Sequence, residues 1–349
     1  MKKNESNIES EKEDNNSDSN SKDIIKNNSE ILFLYDAKRC NPNGDMDDGN
    51  KPRMDKVTKT NLVSDVRLKR YIRDYLKDFE GFEEIFVEST EGDSGERIKK
   101  LKEKNKWKGK ETEEILKSLI DVHLFGAIAT ETGKTFNLTG PIQFNWGYSL
   151  NIVDLNKSST ITSHFKTSGN KDKEGGAGIG SDSRVKYSFI AFSGSINSKN
   201  AEHTNLIARE IDLFDRAMLR SIPLCRTRSK IGQWPRFYLR VELEGNSFLK
   251  DLRELIELPN EKKSSSISEI ELDITELLEY LKENNSLIKE IKFWKDKGLK
   301  IVYKNVQDKK EIGDFKVLLK KFVENAKITE LSMNSKPSEN NNSDGSEEQ

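Results

Sequence analysis

The chain has 349 residues, enough for about two domains of ordinary size. Its 59 Lys and Arg nearly balance 60 Asp and Glu, and the formal net charge of −1 excludes a uniformly basic nucleic-acid protein as a whole-chain average. Hydrophobic residues are 33% and charged residues 34%, against about 25% charged in ordinary domains, so part of the chain is expected to lie outside any packed core.

In chain order, residues 1–30 come first, with five Lys and eight acidic groups and only Met1, Ile8, Ile24 and Ile25 apolar. Such a segment cannot bury enough surface to offset its chain entropy and is expected to be a disordered acidic tail. Ile31 to Tyr35 is an apolar run leading into a loop rich in Asn, Pro, Gly and Asp from Lys38 to Asn50, the pattern of a buried strand. Leu68, Tyr71, Ile72, Tyr75, Leu76 and Phe79 recur at helical spacing, with Ser64 or Thr60 as the cap. Residues 84–115 form an insertion whose stretch 91–114, dominated by Lys, Glu, Gly and Thr, is expected to be exposed, and Ile115 to Phe125 returns to a helical pattern.

Phe136 to Ile152 is a strand candidate interrupted at Gly140 and Pro141. A second insertion over 158–185 precedes the strand candidate Tyr187 to Ile196. Leu206, Ile207, Ile211, Phe214, Met218 and Ile222 predict a second helix, ended by Pro223. Phe237, Leu239, Val241 and Leu243 alternate with Tyr238, Arg240 and Glu242, as in a half-buried strand. Residues 246–331 are expected to be mainly helical, with Leu277, Leu278, Leu281, Ile288 and Ile291 in one stretch and Phe315 to Ala326 in another. Residues 332–349, with Met333 as their one apolar group, form a second disordered acidic tail. The order strand, helix, strand, strand, helix, strand over 31–245 is that of an α+β ferredoxin-like βαββαβ or RNA-recognition fold.

No run of about 18 apolar residues and no signal-peptide pattern occurs, so neither membrane nor export is expected and the cytoplasm is the expected location. Cys40 and Cys225 give no disulfide framework, and His123, His164 and His203 have no zinc-ligand spacing; no cofactor and no metal is expected. Each tail nets −3, which leaves +5 between them. That charge is concentrated. Residues 51–76 hold Lys51, Arg53, Lys56, Lys59, Arg67, Lys69, Arg70 and Arg73 against three aspartates, and Lys69, Arg70, Arg73 and Lys77 share one helical sector. Residues 220–240 hold Arg220, Arg226, Arg228, Lys230, Arg236 and Arg240 and no acid. Such stripes suit a phosphate backbone, and Ser64 with its free backbone N–H groups suits one phosphate at a helix start.

The longer motifs carry a resemblance. Tyr35 to Asp45 (YDAKRCNPNGD), Asn50 to Asp55 (NKPRMD), Asn61 to Leu76, Leu138 to Phe144 (LTGPIQF), Arg184 to Asn197 and Thr227 to Gln233 (TRSKIGQ) together resemble, in the right order over residues 31–244, the backbone subunit of type I-B CRISPR Cascade, the seventh CRISPR-associated family. The resemblance implies a modified RNA-recognition palm, with copies lined up head to tail along one CRISPR RNA beside other Cascade subunits. Each copy grips phosphates without reading sequence, and target DNA is met through the guide. By motif position, Lys59, Ser64, Arg67, Lys69 and Arg70 fall on the helix that holds the guide. Arg226, Arg228, Lys230 and Gln233 fall in the last palm loop, and Lys38, Arg39 and Arg53 in the loop after the first strand. Segment 162–185, with Gly169, Gly175, Gly176, Gly178 and Gly180, falls at the thumb, with Ile179 as an apolar wedge between bases and Arg184 at its base.

Two other readings stand beside it. Asp36, with Asp45, Asp47 and Asp48 close behind, could form a metal-bound carboxylate cluster that cuts RNA, but Asn-Pro-Asn-Gly-Asp is also ordinary turn chemistry, and the resemblance is to subunits that do not cut. A free-standing RNA-binding regulator would show base preference. His123 is expected to be a packed helix residue, and no catalytic residue is assigned.

Overall fold

In a computed structural model of the chain, residues 24–334 are described, apart from 89–91, 106, 108, 132, 157–158, 167–176, 260–262, 305–306 and 308–309. Most of both expected tails and Gly169, Gly175 and Gly176 of the expected thumb therefore lie outside the described residues. The first tail was drawn too long. Ile24 bridges Ile207, the Ile25 N–H donates to the Leu206 carbonyl, and Ser29 already begins a strand.

Among the described residues the main sheet has nine strands: β1 (Ser29–Lys38), β2 (Met54–Asp55), β3 (Thr60–Val63), β4 (Ile142–Phe144), β5 (Gly147–Ser149), β6 (Tyr187–Ile196), β7 (Gln233–Leu243), β8 (Ile288–Lys295) and β9 (Lys327–Glu330). Their order is β9-β8-β7-β1-β6-β5-β3-β2, with β4 also beside β6. β1 pairs antiparallel with both β6 and β7. Apolar on both faces from Ile31 to Tyr35, it takes the centre, where both faces are covered.

Helices α1 (Asp65–Phe79) and α2 (Ala208–Leu224) cover one face. Ser64 caps α1 by accepting from the Arg67 N–H, and the predicted stripe of Leu68, Tyr71, Ile72, Tyr75 and Leu76 is buried against Ile31, Phe33, Phe192 and α2. The opposite face presents Leu32, Leu34, Phe189, Ala191, Phe237 and Leu239, and the C-terminal region covers it with Leu249, Leu252, Leu277, Leu281, Phe315 and Leu319. β7 is thus not half-buried as its alternation suggested. Arg240 on it reaches under α2, where Asp215 accepts from Nε and Nη2 at 2.9 Å each and from the Tyr238 hydroxyl at 2.6 Å. Pro235 is tolerated in this internal strand because the ladder to β1 shifts register between Leu34 and Tyr35.

The expectation of a mainly helical region over 246–331 is corrected: its described residues carry five strands and two α-helices. Leu277, Leu278 and Leu281 do form a helix, Thr275–Glu283. The apolar period then falls from 3.6 toward 2 beyond Asn284 and Asn285, so Ile291 and Phe293 extend the main sheet in β8. Residues 91–114 are likewise not simply exposed. The helix Ser94–Lys104 buries Ile98 and Leu101 against Ile115, Leu116 and Val122 in a small separate core.

Glu30, near the start of β1, is raised to about 7 by burial, against a backbone hydrogen bond from Leu249. A carboxyl raised in the folded state binds more protons there, so its contribution is full below about 4.5 and is lost as pH rises through 7. Glu30→Gln should therefore melt higher than the parent at pH 8 and no higher at pH 4.5; equal melting temperatures at pH 8 would remove this account.

Candidate functional site

Three chain segments meet at the Lys38 end of the sheet. The Asn41 N–H donates to the Ser229 carbonyl at 2.8 Å, Lys38 to Gly232 at 2.8 Å, Val185 to Cys40 at 2.9 Å and Arg39 to Lys186 at 3.2 Å. The loop after β1, the segment leading into β6 and the loop between α2 and β7 are thereby tied together. The two basic stretches seen separately in the sequence meet beside them, where Gln233 donates to the Tyr71 hydroxyl at 2.8 Å.

Arg39 has a left-handed backbone, φ 52°, a conformation that costs a non-glycine residue on the order of 1–2 kcal/mol. Both of its backbone groups are held: its N–H by Lys186 and its carbonyl by Arg184 Nη1 at 3.0 Å. The side chain is exposed, so the strain aims a cation outward. Gly232 makes the neighbouring close approach, with φ +108° and an added Cβ only 2.4 Å from the Lys38 carbonyl oxygen. Gly232→Ala is expected to cost about 1–3 kcal/mol, read as a lower urea midpoint.

Lys38, Arg39, Arg226 and Gln233 line one groove with Asp36, Trp234 and Arg236. The first three are exposed, whereas Gln233 is buried and donates to the Tyr71 hydroxyl at 2.8 Å. Arg228 is exposed and pairs with Asp182 at 3.2 Å, and Asp182 also takes Arg184 at 2.7 Å. Lys230 turns inward, donating to the carbonyls of Asn41 at 2.6 Å and Pro42 at 3.2 Å. Burial, with Arg67 nearby, lowers its ammonium to about 8. Ser64 is occupied by Asn43 at 3.0 Å and by its cap. Arg67 lies over the Tyr71 ring at 3.9 Å, and Arg53 pairs with Asp45 at 3.4 Å and lies 5.8 Å from the Trp146 ring. Ile179 is in the strand Ala177–Asp182, which pairs with Ser159–Lys166; its side chain lies outside the described residues.

The stripe drawn through Lys69, Arg70, Arg73 and Lys77 does not face solvent together. Lys69 is largely covered, bonded to Gln143 at 2.9 Å and near Asp65 at 3.4 Å. Arg73 is buried on Asp121 at 3.0 Å, Lys77 pairs with Glu88, and Arg70 pairs with Asp74 at 2.6 Å. Likewise Arg236 and Arg240 are spent inside, on Asp36 and Asp296 and on Asp215. Helical-wheel position fixed their direction but not the acidic partners supplied by distant segments.

Three of the four aspartates of the imagined metal cluster have other work. Asp36 is buried, accepting from the Tyr187 hydroxyl at 3.1 Å and paired with Arg236 at 2.9 Å, and burial raises its pKa. Asp45 caps the turn at Asp47, and Asp48 pairs with Lys51 at 2.6 Å. Among the described residues no three His, Cys, Asp or Glu side chains gather as metal ligands. His123 is held by Glu210 at 2.9 Å and the Lys117 carbonyl at 2.6 Å. Among the described residues no helix is long and apolar enough to cross a membrane.

Sequence reasoning missed Lys186 and Lys263, which lie outside both basic stretches of the sequence yet enter this end of the molecule. Only the pairing of residues 154–156 with 184–186 could have shown it.

A family model described as CRISPR-associated protein Cas7 matches residues 27–275. A protein of Haloferax volcanii, described as CRISPR-associated protein Cas7, is 36% identical over 284 residues, covering 73% of this chain and 83% of that one. A solved chain of a "CRISPR RNA-guided surveillance complex, pre-nicking" superposes with a TM-score of 0.54 at 13% identity, covering 88% of this chain and 97% of the other. At that identity the likeness concerns the fold alone.

Proposed function

The chain belongs to the CRISPR-associated Cas7 family, and from that premise we propose that it is a non-catalytic backbone subunit of a type I-B surveillance complex. Copies line up head to tail along one CRISPR RNA, beside other subunits, and hold its sugar-phosphate chain while base pairing with target DNA carries the specificity. The order β7-β1-β6 followed by β4 and β5 supports a modified RNA-recognition fold.

One observation carries the reading. In an ordinary RNA-recognition domain the sheet face away from the helices stacks bases on aromatic side chains. Here that face is sealed by the C-terminal region, while exposed cations stand on the loops at the end of the sheet. Loops can reach phosphates; a sealed face cannot read bases. The proposed outward contacts are Lys38, Arg39, Arg226 and Arg228, with Lys59, Arg67 and Arg70 beside them. Lys230, Ser64 and Gln233 hold the loops in shape, and Ile179 is the proposed wedge between bases.

The test is binding to single-stranded RNAs of unrelated sequence. Affinities within a few-fold of one another, and several copies on one RNA, are expected. A monodisperse chain that stays free of RNA and does not assemble on a guide would overturn the proposal, and strong base preference would point to a free-standing regulator.

A further inference from the structure

A second groove lies between the Lys38 end of the sheet and the C-terminal region. Lys38, Arg39 and Lys186 stand on the sheet side and Lys263 to Ser265 on the other, and Asp154 is the one carboxylate among its lining residues. Asp154 pairs with Lys263 at 3.1 Å and Lys186 at 3.7 Å, and Lys59 acts on it electrostatically.

Backbone bonds fix this gathering. The Val153 N–H donates to the Lys59 carbonyl at 2.9 Å, the Lys186 N–H donates to the Asp154 carbonyl at 2.8 Å, and Leu155 bridges Val185. Lys59 itself has a left-handed backbone, φ 57°. Two lysines from distant parts of the chain thus flank one carboxylate, and both Lys186 and Lys263 keep about 60% of their side chains exposed; Lys59 lines the neighbouring groove with Asp45, Asp48 and Asp55.

Stability does not account for the arrangement, because exposed pairs of this kind contribute only about 0–1 kcal/mol each. An excess of cations around one acid, beside Lys38 and Arg39, instead makes a local positive field that draws anions. Two further carboxylates near this groove have partners of their own: Asp36 accepts from the Tyr187 hydroxyl at 3.1 Å and pairs with Arg236, and Glu269 is held by Ser265 through its N–H at 2.9 Å and its hydroxyl at 2.6 Å.

We propose that Lys186 and Lys263 form a further phosphate subsite for single-stranded RNA, continuous with Lys38 and Arg39, in which Asp154 holds the two lysines in place until the RNA backbone replaces it as counter-charge. The proposal rests on the RNA-binding reading above. It gives the C-terminal region a part in the grip, through Lys263.

The test uses the full-length chain and a mixed-sequence single-stranded RNA, titrated at several salt concentrations. Lys186→Ala with Lys263→Ala should weaken binding about tenfold at physiological salt and lower the slope of log affinity against log salt by about 1.4, two phosphate contacts on a single strand. Asp154→Asn should act in the opposite sense and tighten binding several-fold, since the lysines lose their internal competitor. A merely structural ion pair would give no tightening. Parent-like binding by the double lysine variant, or unchanged or weaker binding by Asp154→Asn, overturns the subsite. Arg226→Ala with Arg228→Ala keeps the two readings apart. Loss there with none at the lysines removes only the subsite, whereas no RNA binding by the unaltered chain removes the reading beneath it. A lysine effect that appears only once complementary DNA is paired to the RNA assigns the groove to the target strand and overturns the RNA assignment.

Discussion

Asp215→Ala is expected to lower the free energy of unfolding by about 3–5 kcal/mol, the usual cost of stranding one member of a buried ion pair. Arg240 and Asp215 are 3% and 2% exposed at their side chains. Asp215 accepts two bonds from Arg240 and a third from the Tyr238 hydroxyl, so its removal leaves the phenol unpaired between the sheet and α2 and the guanidinium with only Glu242 at 3.4 Å and the Ser29 hydroxyl at 3.2 Å. Lys292, 3.7 Å from Asp215, loses one of its two carboxylate neighbours as well. Asp212, one turn away and largely exposed, pairs with Lys292 at 2.5 Å, and its replacement by Ala should change stability by no more than about 1 kcal/mol. Urea unfolding of the two variants measures the contrast. Similar midpoints would mean that Arg240 finds solvent or another partner when Asp215 is lost.

The triple variant Arg39→Ala, Arg226→Ala, Arg228→Ala should bind RNA about 50-fold more weakly at physiological salt, with a salt slope lower by about 2, because each single-strand phosphate contact contributes about 0.7 to the slope. The loss should be the same for every RNA sequence, since none of these groups is positioned to choose a base. Stability should change little. All three side chains are exposed, the left-handed backbone of Arg39 is held by its own N–H and carbonyl, and Asp182 keeps Arg184 when Arg228 is removed. A loss confined to some sequences would contradict phosphate gripping and indicate base recognition.

These two predictions separate what the sequence displayed from what it concealed. Strands β1 and β6 and helices α1 and α2 stood out because their apolar residues repeat at one period over a long run, and the Ser64 cap is a local signal. The loop around Arg226 and Arg228 stood out because its charges have no acid nearby in sequence, whereas Arg39, three residues after Asp36, stood out only by the resemblance. Arg236 and Arg240 belong to the same acid-free stretch and Arg73 to the basic sector of α1, yet Asp36, Asp215 and Asp121 neutralise them from other segments. Whether a cation is a grip or a brace depends on long-range pairing, which local charge counting does not contain. Lys186 and Lys263 fail in the other direction, lying outside both basic stretches of the sequence and gathered only by the fold. The C-terminal region misled for a different reason. A real helix, Thr275–Glu283, is followed within five residues by a strand, and two short periods in succession blur into one.

The central place of β1 also governs how the chain must be made. Ser29 pairs with Ile196 and with Glu242, so β1 leaves the ribosome well before either of its sheet partners. At about 5–20 residues per second, the wait between β1 and β7 lasts roughly 10–40 s. During that time Ile31 to Tyr35 travels as an uncovered apolar segment of high β-propensity, the kind that recruits other chains. Its yield in a cell should accordingly depend on holding chaperones and on translation speed more than on the stability of the finished molecule.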